Sequence, residues 1–154
     1  MLALVHMLHL VTAVVWGGGL VYLSAVVYPA LARLPAAEAR RVFAALAPFS
    51  STLMGMAGVL AILSGIARAW LAGVQRWGDL TGGYGLAVLS AFLLAFFYLG
   101  AVDGFFRRRF RKMMLAPEIF AQQARRIARR NALLIVAGVM AVVMLMAALR
   151  LGLV

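Results

Sequence analysis

The chain has no cysteine, which excludes disulfides, cysteine-based zinc sites and thiol redox chemistry together. Acidic residues are nearly as scarce. Glu38, Asp79, Asp103 and Glu118 are the only four, against fifteen Lys and Arg. All four are expected outside the apolar stretches, which leaves no intramembrane acidic relay and no paired carboxylates for acid–base chemistry. Histidine occurs twice, at His6 and His9, and lysine once, at Lys112. No nucleophile–base set, phosphate-cradling glycine loop, internal repeat or low-complexity tract is present.

What is abundant is hydrocarbon. Hydrophobic residues make up 66% of the 154-residue chain, and mean hydropathy is +1.04, far above a soluble domain of ordinary composition. Four apolar stretches stand out, at about 2–28, 48–72, 84–102 and 131–149, each of a length that crosses a bilayer as a helix. The expected fold is therefore all-α: one integral membrane domain over 1–154, built as a four-helix transmembrane bundle. The first stretch precedes any basic residue, Arg33 being the first, so it is expected to be a helix of the mature protein and not a cleaved signal. Pro29 is expected to stop it, and 103–130 is expected to be a basic segment outside the spans. Within that segment Pro117 suits the first position of a helix, and Asp103 is expected to make a surface pair with Arg107.

Charge sets the orientation. The connections between spans one and two and between spans three and four carry twelve of the fifteen Lys and Arg; Arg68, Arg76 and Arg150 are the rest. Basic loops stay in the cytoplasm, so both termini are expected outside, N-out and C-out, in the cell membrane. The +11 net charge is explained by those loops, with anionic lipid as their partner and no nucleic acid. Ala57, Ala61, Gly65 and Ala69 form a small-residue strip on the second span, suited to close helix packing within the chain or in a homodimer.

Both histidines lie in the charge-free first span. An intramembrane residue of this kind marks a functional site by default. A spacing of three puts His6 and His9 on one helical face, and the stripe continues through Trp16, Gly17 and Leu20. Gly17, Gly18 and Gly19 would let a backbone or a flat ligand approach. At the matching depth of the fourth span, Met140 and Met144 share a face, so a His/Met site between spans one and four is expected as an alternative to methionine packing. Imidazole and thioether ligands select copper, Cu(I) above all. Met54 and Met56 lie too far towards the basic side to join them.

His9, Trp16, Gly18, Gly19, Leu20 and Pro29 resemble the first helix of the CopD-like membrane proteins, with their histidine, Trp-x-Gly-Gly segment and closing proline. Ser64, Gly65 and Ile66 at the end of the second span, and Arg130 and Asn131 at the start of the fourth, also fit. That resemblance implies a four-helix module associated with copper. His9, Trp16, Gly19, Leu20, Tyr22 and Leu23 are also similar to the opening of the HemJ-type oxidases, which implies haem b, with Arg68 available to a propionate. That family carries a lysine in its third helix, which this sequence lacks. The sequence reading is thus a metal-handling membrane protein with copper at His9 and His6, not an enzyme. Haem b, with a haem-dependent oxidoreductase as the enzymatic form, is the alternative, and a non-catalytic accessory subunit is the third reading.

Overall fold

The computed structural model describes residues 1–153. Four long helices make up nearly all of it: α1 Leu2–Leu31, α2 Ala36–Leu71, α3 Gly83–Met113 and α4 Pro117–Leu151. A short 3₁₀ turn, Trp77–Thr81, precedes α3. Side-chain contacts fix the order along each seam. His9 meets Ala61 and Gly65, Trp16 meets Gly58, and Met54 meets Gly19, so α1 and α2 run antiparallel. Ser24 with Asn131, and Gly17 beside Val139, set α4 antiparallel to α1. Tyr98 with Leu134, and Phe110 against Phe120, do the same for α3 and α4. The result is an up-down-up-down bundle, with both termini at one end and the two basic connections at the other.

The helices outrun the apolar stretches that announce them. At 30 to 36 residues each they extend well past the roughly 20 residues that a bilayer core requires. The first helix ends at Leu31, two residues past Pro29, close to the expected stop. A π-helical turn, Leu23–Val27, lies just before the proline, and the Tyr28 amide bonds to the Leu23 carbonyl. That wider turn relieves the crowding a proline ring imposes on the preceding turn of an α-helix, and the chain stays helical to Leu31. Pro48 likewise lies inside α2, which begins at Ala36. The basic segment is not a separate layer: α3 runs through it to Met113, and α4 starts at Pro117, which occupies the first helical turn as expected.

The large-side-chain core sits at the basic end. Tyr28, Phe106, Phe110, Met113, Met114 and Phe120 are buried together there, with Ala39, Ala124 and Ala128 fully enclosed. Tyr28 and Phe106 have ring centroids 4.7 Å apart, and Phe110 and Phe120 5.5 Å, within the range where aromatic pairs add to plain burial. A smaller cluster at mid-bundle joins Leu20, Leu99 and Ile135. Towards the termini the buried positions are small residues: Thr12, Ala61, Ser64, Ala69, Ala87 and Ala91. One expectation about charge is corrected here. Asp103 does pair with Arg107, at 3.0 Å, but its side chain is only 9% exposed. It belongs to α3 and not to a surface loop, because α3 continues without a break past 102.

Candidate functional site

His9 projects from α1 onto the small-residue strip of α2. Its Nδ1 lies 2.9 Å from the Ala61 carbonyl oxygen. A carbonyl only accepts, so Nδ1 carries the proton and donates it. The Ser64 hydroxyl, 3.4 Å from the same nitrogen, already donates to the Leu60 carbonyl of its own helix at 2.5 Å. It therefore meets the imidazole as an acceptor. The neutral ring has one proton, so Nε2 is left with its lone pair. An imidazole tied through one nitrogen to a carbonyl and free at the other has the tautomer and the orientation of a metal ligand.

The α2 surface beneath the ring is built for it. A Cβ on Gly65 would stand 3.0 Å from Cε1 of His9 and 3.3 Å from Nδ1, so a larger residue there would press the imidazole off its position by a few tenths of an ångström or more. One helical step further in, Trp16 covers Gly58 in the same manner, its Nε1 2.9 Å from where a Cβ would be. Thr12 lies between His9 and Trp16 on the α1 stripe, buried, with its hydroxyl donating to the Leu8 carbonyl at 2.8 Å. The strip of Ala57, Ala61, Gly65 and Ala69 is thus occupied by α1 of the same chain.

His6 is half-buried, one turn nearer the terminal end, and its Nδ1 is enclosed without a hydrogen-bond partner. Arg68 is half-buried, one turn past Ser64. The glycine triplet divides: Gly17 is buried beside Val139, Gly19 faces Met54, and Gly18 has nothing within 4 Å of an added Cβ. Met140 and Met144 are 52% and 65% exposed and point off the bundle, whereas His9 is turned towards α2. His9 is therefore brought to α2, and the two methionines are not brought to it. Among the described residues, no three His, Cys, Asp or Glu side chains gather at one point.

Sequence reasoning missed the partners of His9. The small-residue strip, Gly65 included, is visible in the sequence, but which helix it receives is not, and Ser64 stood out only through the family resemblance. It also missed a cavity of about 210 Å³ beside Trp16 and Asp103. No protein family, curated protein or solved structure matches the chain.

Proposed function

We propose that this four-helix membrane protein binds Cu(I) as cargo at His9, with His6 as the second ligand, and takes it from the side on which both termini lie. The observation that carries this reading is the hydrogen bond from His9 Nδ1 to the Ala61 carbonyl, which leaves Nε2 oriented and unprotonated. Cu(I) accepts a small number of soft or borderline ligands, imidazole among them. The enclosed Nδ1 of His6, three residues away on the same face, supplies a second nitrogen that has no other partner. The orientation follows from charge: Arg108, Arg109, Arg111, Lys112, Arg125, Arg126, Arg129 and Arg130 are all exposed at the basic end. There they attract the anionic headgroups of a cytoplasmic leaflet at about 1 kcal/mol per charge.

Haem b is the second reading, favoured by the same free Nε2 and by the half-buried Arg68 as a propionate partner. His9 Nε2 would hold the iron of a bound haem, which would supply one-electron redox chemistry. The space argues for copper. Met54 and Val139 lie where a porphyrin would meet Gly19 and Gly17, while an ion coordinated by two imidazoles displaces neither.

The deciding experiment is the visible spectrum of the protein purified from membranes, followed by anaerobic Cu(I) titration against a coloured chelator. The expected result is a colourless protein that withdraws Cu(I), with His9→Ala abolishing uptake and His6→Ala weakening it. A Soret band near about 410–430 nm, lost in His9→Ala, replaces copper with haem. A protein that is colourless and still metal-free after loading leaves the accessory-subunit role.

A further inference from the structure

Helices α2 and α3 make few direct contacts with one another. The gap between them, floored by α1, is the half-open cavity of about 210 Å³. Its walls include Gly55, Gly100 and Gly104, and a Cβ added at any of these three meets nothing within 4 Å. The hollow is therefore not filled by neighbouring side chains, and it opens sideways between two membrane helices.

The cavity is polar at one end and apolar at the other. Trp16, Leu20, Met54 and Leu99 line the part near mid-bundle, and Ser51, Asp103 and Arg107 line the part towards the basic end. Asp103 is nine-tenths buried, and its Oδ2 is held by Nε of Arg107 at 3.0 Å. Its Oδ1 is enclosed with no hydrogen-bond partner. A buried carboxylate oxygen left unpartnered costs more than a neutral group would, so the arrangement has spare acceptor capacity. The pair is made through Nε of the guanidinium, and Arg107 has no ion-pair partner besides Asp103 among the described residues. Asp103 follows directly on the apolar run that ends at 102, which sets it at headgroup depth in the leaflet at the basic end.

An occupant that satisfies these groups brings an anion for Arg107, a hydrogen-bond donor for Asp103 and an apolar tail for Leu20 and Trp16. We propose that the cleft binds one phosphatidylethanolamine molecule taken from the bilayer. Its phosphate lies on Arg107 and the Ser51 hydroxyl, its primary ammonium on Asp103, and one acyl chain along Leu20 towards Trp16. Phosphatidylglycerol supplies the phosphate but no ammonium, and so leaves the carboxylate beside an anion. The quaternary ammonium of phosphatidylcholine carries the charge but no N–H to donate. This site is separate from the histidines and does not depend on copper.

The test is native mass spectrometry of the full chain released from nanodiscs of equimolar phosphatidylethanolamine and phosphatidylglycerol. The wild type is expected to retain one phosphatidylethanolamine. Asp103→Asn is expected to lower its preference over phosphatidylglycerol by about tenfold, the worth of one charge-assisted hydrogen bond. Gly104→Leu, with Gly55→Val as the second filling variant, is expected to remove the lipid while helicity and thermal unfolding stay at wild-type values. Equal retention of the two lipids by the wild type, or retention of the lipid by both folded filling variants, overturns the proposal. Displacement of the lipid by millimolar phosphoethanolamine would assign the cleft to a soluble zwitterion and overturn it as well.

Discussion

The imidazole of His9 lies against Gly65, so close that a Cβ there would stand 3.0 Å from its Cε1. The ring and the glycine define one another: the glycine gives the imidazole its seat, and the carbonyl of Ala61, one turn earlier, gives it its tautomer. The small-residue strip of α2 therefore positions the imidazole as well as packing against α1.

Gly65→Val is expected to lift His9 off the Ala61 carbonyl. Overpacking of this kind costs about 1–3 kcal/mol, read as a lower unfolding temperature in detergent. Cu(I) affinity should fall with it although both histidines remain. Wild-type Cu(I) affinity in a folded Gly65→Val protein would show that the α2 seat does not govern the ligand.

The two histidines should separate stability from binding. His9→Ala removes a buried hydrogen bond and its packing, at about 1–3 kcal/mol. His6→Ala removes a ring nitrogen that has no partner, so its stability should stay within about 0.5 kcal/mol of wild type. Both variants are expected to bind Cu(I) less well. Equal destabilisation by the two substitutions in thermal unfolding would contradict the hydrogen-bond assignment.

Glycines that look alike in the sequence should respond in opposite directions. Gly18 has open space around it, and Gly18→Ala is expected to raise stability by about 0.5–1 kcal/mol through helix propensity alone. At Gly138 an added Cβ would run into Tyr98 and Leu99. Gly138→Leu is expected to push α3 from α4 and to cost about 1–3 kcal/mol. Paired unfolding curves measure both.

Orientation is open to a direct test with reporter fusions. A reporter active only in the cytoplasm should work when fused at Arg109 and fail at Gly82. The reverse pattern would place the histidines at the cytoplasmic end and end the reading of uptake from outside.

The four spans were legible because hydropathy alone marks them, and the clustering of arginine marks which connections share an end. Helix limits were less so. Pro48 read as a boundary, yet it is absorbed inside α2, whereas α1 ends two residues past Pro29. The burial of Asp103 was hidden for a related reason. In sequence it heads a basic run, and only the continuation of α3 and the separation of α2 from α3 turn it inward. The histidine face was legible from its spacing. Its direction was not, because the choice between α2 and α4 depends on which opposite surface is flat enough, and Gly65 decides that. Met140 and Met144 show the converse, since matching depth along the helix says nothing of which way a side chain points.

The bulky aromatic core is gathered at one end, and that gives the bundle a fulcrum. From Tyr28 to His6 the helix is roughly 33 Å long. A tilt of roughly 5° about the Tyr28–Phe110 cluster therefore carries the histidine end through roughly 3 Å, about the breadth of one ion's ligand sphere. Towards the termini the buried side chains are mostly alanine, serine and threonine, with the His9 ring seated on Gly65 among them. With the aromatic clamp at the other end left intact, a tilt of that size would break the His9–Ala61 hydrogen bond and a few small-residue contacts, and would unfold no helix.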